Sequence, residues 1–192
     1  MSEMRRQSIH IAGIAFIALA QFIGKLIVVW YALAALGLLI WSWHIRRQSK
    51  LGLLDGVETE LRRMFLRFER THEKPFIGAA WFFGASGMAF LIFPYPIASA
   101  VCMMLVIGDG LATVIGHNFG RHKILKGKSV EGSLACWLGS LSAILFLPLP
   151  KVLIGATIAT FLEILPALTK HRNLVDDNWL ITMVTGFVLW LI

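Results

Sequence analysis

The hydrophobic positions of the chain form seven long apolar runs with short polar connections between them. The runs are continuously apolar rather than alternating, which favours helices and argues against a β-barrel. Several approach or exceed the ~20 residues that a helix needs to cross a bilayer. The predicted spans are 9–23, 26–45, 75–93, 97–116, 129–147, 151–168 and 179–192. We therefore predict an all-α fold, a polytopic transmembrane helix bundle of about seven spans, built as a single integral membrane domain over residues 1–192.

The longest polar stretch, residues 46–74, has its own helical pattern. Its apolar positions recur at helical spacing with arginines between them, at Val57, Leu61, Phe65 and Phe68. This pattern predicts an amphipathic helix on the cytoplasmic membrane surface, and a solvated connector helix is the open alternative.

The first residues resemble a secretory signal. Arg5 and Arg6 precede an apolar run, and Ala18-Leu19-Ala20 looks like a cleavage site. We expect the segment to be retained as the first span.

Composition agrees with a membrane protein. The chain is 57% hydrophobic and 15% charged, whereas a soluble domain carries roughly a quarter charged residues. Cys102 and Cys136 both fall within apolar runs, so the sequence indicates neither a disulfide framework nor a zinc site.

The net charge of +7 follows from topology. When the connections are numbered alternately, one side of the membrane receives every lysine and arginine except Lys25 and Lys151. This asymmetry predicts a multi-pass protein of the cytoplasmic (inner) membrane with its N-terminus in the cytoplasm. It explains the charge without a nucleic-acid partner. It also brings the basic loop 117–128 and Asp176-Asp177-Asn178 to the cytoplasmic face.

Asp109 is the acidic residue inside the fourth apolar run. An ionised carboxylate there is costly unless it meets a cation or water, so it predicts a functional site. Asp109, Thr113 and His117 are four residues apart and share one helix face. Gly108 and Gly116 lie on the adjacent face with Ala112, which permits close approach of another helix. The alternative is an ion pair that only holds helices together.

The loop after this helix combines glycines with basic residues, which suits phosphate binding. These residues are Gly116, Gly120, Gly127, Arg121, Lys123, Lys126 and Lys128. The spacing is not that of a Walker A loop, and a plain positive-inside loop is the alternative.

The fifth run opens with Ser129 and Glu131. Ser129 is a plausible N-cap, and Glu131 complements the helix dipole. The free N–H groups of that helix end also suit an anion, and Glu131 would then hold Mg²⁺. Glu163 lies towards the same side of the membrane. Asp176-Asp177-Asn178 precede the last run, where N-capping is the simpler interpretation of the three residues alone.

Together these motifs resemble the polyprenol kinase family, which includes dolichol kinase, phytol kinase and the CTP-dependent diacylglycerol kinase of fungi. The central motif is Gly108-Asp109, Ala112, Gly116, Phe119-Gly120, Lys128-Ser129, Glu131-Gly132-Ser133 and Ala135. Weaker flanking matches are Arg5-Arg6 with His10 and Gly13, Glu163, and Asp176-Asp177-Asn178.

The resemblance implies an integral membrane kinase that transfers the γ-phosphate of a nucleoside triphosphate to a polyprenol, a phytol-like alcohol or diacylglycerol. CTP is the implied donor and Mg²⁺ the implied cofactor, with ATP kept open. Phosphatidate cytidylyltransferases share part of the pattern, and a CDP-lipid-forming enzyme is the alternative. This chain lacks their Lys-Arg, Lys-Asp and His-Gly-Gly signature, which favours the kinase. A non-catalytic transporter is the third hypothesis.

We assign the predicted site residues by role. The catalytic residues are Asp109, Glu131 and Asp177. The nucleotide-binding residues are Gly116, Gly120, Arg121, Lys126, Lys128, Ser129 and Asn178. The metal ligands are Asp109, Glu131 and Glu163. The partners are then a nucleotide and a membrane lipid alcohol. The lipid acceptor, the general base and the oligomeric state stay open, and an oligomer is compatible with the sequence.

Overall fold

The computed structural model describes residues 2–46, 76–125, 127–167 and 176–192, with side chains from residue 13 to residue 44 in the first range. The predicted amphipathic helix therefore lies outside the described residues except for its first position, and Lys126 lies outside them too. Across the described ranges the chain is helical apart from one short β-hairpin.

The helices follow one another in a simple order. They are α1 Ser2–Ile23, α2 Ile27–Arg46, α3 Ile77–Ile92, α4 Tyr95–Met103, α5 Gly110–Asn118, α6 Val130–Ser140, α7 Leu149–Ile164, α8 Asp177–Trp179 and α9 Thr185–Leu191. Short 3₁₀ turns lie at Gly24–Leu26, Leu141–Leu145 and Leu165–Ala167. Two π-helical segments, Met104–Asp109 and Leu180–Val184, join α4 to α5 and α8 to α9.

Three described segments have the length and composition of membrane-spanning helices. They are Gly13–His44, Tyr95–Asn118 and Leu149–Ala167, and three shorter helices are also apolar. An all-helical protein with apolar, membrane-length helices is therefore confirmed. The number of seven spans and their orientation stay predictions.

The first of these segments folds back on itself. The rings of Phe16 and Tyr31 have centroids 5.2 Å apart, although fifteen residues of straight helix would separate them by about 22 Å. The reversal occurs at Gly24, whose φ of +57° is in the left-handed region that glycine adopts without steric cost. Helices α1 and α2 thus form two antiparallel arms.

The core is built around the rod formed by α4, the first π segment and α5. In the most apolar 18-residue window of this rod, 72% is buried inside the protein. The corresponding shares are 11% for Gly13–His44 and 39% for Leu149–Ala167. Tyr31 of α2 is almost fully buried and contacts the rings of Phe83 and Phe90 in α3. The aromatic layer between α2 and α3 therefore covers one side of the bundle.

Helix α6 packs closely against α5 and the end of the first π segment, because glycine residues line the contact. The sequence predicts this close approach for Gly108 and Gly116. A Cβ atom on Gly132 would lie 2.9 Å from the carbonyl oxygen of Ala112 and 3.1 Å from Cα of Gly116. A Cβ atom on Gly139 would lie 3.1 Å from Cα of Gly108. Backbone meets backbone along this contact, so any side chain there would push the helices apart.

The predicted basic loop contains a β-hairpin, which the hydrophobic pattern of the sequence does not predict. Strand β1, Lys123–Leu125, pairs antiparallel with β2, Lys128–Ser129, and Lys123 lies opposite Ser129. Gly127 has φ +87° and permits the tight turn. The turn holds Lys128 at a fixed position where β2 enters α6.

Candidate functional site

Lys128 forms an ion pair with Glu163 across thirty-five residues of sequence. The lysine projects from β2, and the carboxylate projects from the last turn of α7. Only 16% of the Lys128 side chain and 4% of the Glu163 side chain are exposed. A buried pair of this kind is retained only where the surrounding groups compensate the loss of hydration.

Two further carboxylates act on Lys128. Burial by itself would lower the pKa of Lys128, but Glu163, Asp109 and Asp177 together outweigh it and raise the pKa above its ordinary value. Asp109 ends the first π segment, and Asp177 begins α8. We call Asp109, Lys128, Glu163 and Asp177 the Lys128 cluster. Its members come from four separate elements, so the tertiary fold, rather than local sequence, creates it.

The two π segments lie next to the acidic members of the cluster. Asp109 is the last residue of Met104–Asp109, and Leu180–Val184 begins three residues after Asp177. Both segments pack against α7, the helix that carries Glu163. Single π turns inside α-helices occur frequently at functional sites, because the extra residue changes the direction in which side chains project.

Two buried acceptor atoms in or beside the cluster are available to a polar ligand. Glu163 Oε2 and Asn178 Oδ1 are buried and have no hydrogen-bond partner within the described ranges. Leaving such acceptors unpaired is costly, which is why native structures satisfy most of them. Glu163 contacts the ammonium group of Lys128, and Asp109 and Asp177 act on it electrostatically, so the formal charge of the cluster is negative by two.

Asp176, Asp177 and Asn178 form a helix cap, as the simpler sequence interpretation predicts. Asp176 Oδ1 accepts hydrogen bonds from the backbone N–H of Asn178 at 3.0 Å and from its side-chain Nδ2 at 2.7 Å. Desolvation and the neighbouring charge of Asp177 raise the pKa of Asp176 to about 6. The cap thus fixes the start of α8, and Asp177 lies within electrostatic range of Lys128.

Glu131 is engaged elsewhere. Its Oε1 atom lies 2.6 Å from Nδ1 of His122, and both carboxylate oxygens accept the backbone N–H of His122. Glu131 shares its face of α6 with Leu134 and Leu138, which are largely exposed. The acid therefore joins the beginning of the hairpin to the first turn of α6. Its predicted roles as catalytic residue and metal ligand stay predictions.

The predicted phosphate-binding glycines and Ser129 contact one another. Ser129 is the N-cap of α6, because its hydroxyl accepts the N–H of Gly132 at 3.2 Å. A Cβ atom on Gly116 would lie 3.3 Å from that hydroxyl, and Gly120 meets the same residue. Ser129 is only 2% exposed. These residues shape the turn that carries Lys128, and their contacts in the structure are with the chain itself.

The remaining predicted nucleotide-binding residues differ in exposure. Arg121 is exposed beside the hairpin, whereas Asn178 is buried at the cap. Lys126 lies outside the described residues. The cluster thus combines two buried acids, Asp109 and Glu163, with an exposed arginine beside the hairpin.

The donor set suits magnesium better than zinc. Within the described part of the chain no three His, Cys, Asp or Glu side chains lie close enough to hold a metal together. A Mg²⁺ site in a nucleotide-using enzyme needs only one or two carboxylates, with phosphates and water completing the octahedron. Asp109 and Glu163 supply two carboxylates, and Glu163 Oε2 is buried without a partner among the described residues.

Two residues near the site were not predicted from the sequence. The Cys136 thiol lies within electrostatic range of Asp109, Glu163 and Lys128, and His122 holds Glu131. Cys136 is four residues after Gly132, on the face of α6 that packs against α5. This spacing in the sequence could have identified Cys136 as a residue near the site. Nothing in the sequence pattern singled out His122.

No protein-family model, curated protein or solved structure matches this chain.

Proposed function

We propose that the protein is an integral membrane lipid-alcohol kinase that transfers the γ-phosphate of a nucleoside triphosphate to a lipid hydroxyl. The observation that carries the proposal is the buried ion pair of Lys128 with Glu163, with Asp109 and Asp177 within electrostatic range of the same ammonium group. A negatively charged cluster that contains an ammonium group suits a polyphosphate that arrives with a divalent cation. The motif resemblance to polyprenol kinases supports the same reaction.

Each residue of the cluster has a role in this proposal. Lys128 neutralises phosphate charge, since an ammonium is a strong partner of phosphate oxygens. Asp109 and Glu163 hold Mg²⁺, which supplies charge neutralisation at the transferring phosphate when it is bound. Asp177 orients the acceptor hydroxyl. The hairpin presents Arg121 at the surface from which the nucleotide approaches.

The reaction is a single displacement. The acceptor oxygen forms a bond to the γ-phosphorus, and the bond between that phosphorus and the β,γ-bridging oxygen breaks. The hydroxyl proton passes to a carboxylate, for which Asp109 and Asp177 are both candidates. Catalysis consists mainly of positioning and charge stabilisation, as in phosphoryl transfer generally.

The membrane setting follows from the apolar helices. We propose about seven spans, with the N-terminus and the Lys128 cluster on the cytoplasmic side of the inner membrane, where nucleotides are available. The exposed side chains of α6, Leu134 and Leu138, face lipid in this arrangement. A long-chain alcohol reaches the cluster laterally while its tail stays in the bilayer. CTP is proposed as the donor on the motif resemblance, and ATP is the alternative.

The test is transfer of label by the purified protein. The full chain in detergent is incubated with Mg²⁺ and γ-labelled CTP or ATP, against polyprenol, phytol and diacylglycerol, and in parallel with α-labelled CTP and phosphatidic acid. We expect the γ-label to appear on an alcohol. The α-label on a lipid would instead establish a cytidylyltransferase. Absence of both products with every acceptor would contradict an enzymatic role.

A further inference from the structure

The end of the bundle opposite the Lys128 cluster contains a cavity. This cavity, of about 650 Å³, opens where the turn after α1 meets the connection between α3 and α4 and the end of α9. This volume is within the range of roughly 300–1,000 Å³ that small-molecule sites occupy. Aromatic rings form much of its wall, from Phe90, Phe93, Tyr95 and Trp190.

The cavity is separate from the Lys128 cluster. Tyr95 is the first residue of the rod that carries Asp109, and fourteen residues of helix between them span about 21 Å. Trp190 likewise lies at the end of the C-terminal helix opposite to Asp177. A ligand in this cavity would touch no member of the cluster, so the inference stands independently of the proposed kinase activity.

The polar groups of the cavity select for an anion. Lys25 is the charged residue of its lining, and Gln21 supplies an amide beside it. No carboxylate is among the lining residues. The Tyr95 hydroxyl donates to the carbonyl oxygen of Ile17 at 3.4 Å. The cavity therefore offers one cationic rim and an otherwise largely apolar interior.

The position of these groups matches an amphiphile. Lys25 lies in the turn between two apolar helices, and the cavity opens at the ends of apolar helices. In a bilayer, the ends of spanning helices lie where the lipid headgroups meet the hydrocarbon core. Aromatic side chains are enriched at this depth because their rings suit the interface. An anionic headgroup at Lys25 would leave an acyl chain to lie along the aromatic wall.

We propose that this cavity binds one anionic phospholipid, with its phosphate at Lys25 and one acyl chain against Phe93 and Trp190. A zwitterionic phospholipid carries a compensating positive charge and gains less from Lys25. A free phosphate compound lacks the chain that fills the apolar wall. Both ligands are therefore informative comparisons.

The first experiment measures lipid binding to the purified full chain in detergent by native mass spectrometry. The probes are dioctanoyl-phosphatidylglycerol, dioctanoyl-phosphatidylcholine and glycerol phosphate. We expect phosphatidylglycerol to bind most tightly. Lys25→Met should weaken its binding about fivefold, the contribution of one lysine near an anionic surface, and Lys25→Arg should retain it. The matched control is Lys151→Met, because Lys151 lies at the same end of the bundle, against the carbonyl oxygen of Leu189, outside the cavity lining.

A second pair of variants tests the cavity without changing charge. Ile92 lines the cavity and is 38% exposed, whereas its neighbour Leu91 is 54% exposed and is not among the lining residues. Ile92→Trp should reduce binding by filling the space, and Leu91→Trp should not. The proposal is overturned if phosphatidylcholine or glycerol phosphate binds as tightly as phosphatidylglycerol. It is equally overturned if Lys25→Met and Lys151→Met bind phosphatidylglycerol alike.

Discussion

Glu131 and His122 are joined at both ring and backbone: Oε1 lies 2.6 Å from Nδ1, and the backbone N–H of His122 donates to both carboxylate oxygens, at 3.2 and 3.3 Å. The two residues lie on either side of the hairpin that carries Lys128. Their contact therefore fixes the hairpin against the first turn of α6. We expect the position of Lys128 relative to Glu163 to depend on this connection, and we therefore infer that Glu131 is a positioning residue.

The first prediction concerns this connection. Glu131→Gln and His122→Ala should both raise KM for the nucleotide several-fold and leave kcat comparatively unchanged, because each loosens the hairpin without removing a member of the Lys128 cluster. Rates measured over a range of nucleotide and Mg²⁺ concentrations check this. If Glu131→Gln alone lost kcat and needed far more Mg²⁺, Glu131 would be the metal ligand that the motif resemblance implies.

The second prediction concerns Asp109. If the protein is the proposed kinase, Asp109→Asn should lower transfer by about a hundredfold or more, because the carboxylate that would hold Mg²⁺ at the reacting phosphate is lost. Size-exclusion chromatography and thermal unfolding should show a folded protein. Ser99→Ala is the control, since it changes a buried polar residue at the other end of the same rod. Near-normal turnover by Asp109→Asn would refute the assignment.

The third prediction concerns the ion pair between Lys128 and Glu163. Removing one partner of a buried pair leaves a charge without compensation and typically costs about 3–5 kcal/mol. Lys128→Met and Glu163→Gln should each lower the unfolding temperature in detergent, and the double variant should lose less than their sum. Additive losses would mean that the two side chains do not depend on each other in the folded protein.

The fourth prediction concerns the contact between α5 and α6. Gly132→Ala should destabilise the protein by about 1–3 kcal/mol, because its Cβ meets the backbone of Ala112. Gly84→Ala is the matched helical control, since a Cβ there has no neighbour within 4 Å. Thermal unfolding of both variants should separate them. Equal unfolding temperatures would show that the helices can move apart at little cost.

The fifth prediction concerns pH. The pKa of Asp176 is raised from its ordinary value to about 6, so its contribution to stability is fully present below its unfolded pKa and is lost as the pH rises through about 6. Asp176→Asn keeps the N-cap and does not titrate. The unfolding temperature of the wild type relative to this variant should therefore fall between about pH 4 and pH 7. A constant difference across that range would contradict the raised pKa.

The sequence identified acidic residues of the site more accurately than it predicted how they are arranged in space. Asp109 and Glu163 stood out because a carboxylate in an apolar run needs a partner, and both belong to the cluster. Glu131 stood out through a motif, yet its contact is with His122. A motif shows which residues are close to one another in the sequence. The direction in which the Glu131 carboxylate projects depends instead on how the hairpin folds.

The pattern of hydrophobic residues predicted the helices of the fold but not its irregular segments. Apolar runs predicted the helices, and Gly108 and Gly116 predicted the close helix contact. The π segments and the hairpin were missed because each depends on a local backbone geometry that periodicity does not encode. Lys128 and Glu163 come together only through packing between α5, α6 and α7, which no window of sequence contains.

The π segment Met104–Asp109 has one more consequence for the rod on which it lies. An inserted residue in a helix turns everything beyond it by roughly 100° about the axis. Tyr95 and Asp109 therefore face directions that an unbroken α-helix would not allow together. Deleting one residue from the segment should restore a regular spiral, keep the rod apolar and rotate the carboxylate away from Lys128. The position of the Asp109 carboxylate therefore depends on the angular offset between the two halves of the rod as well as on the residue itself.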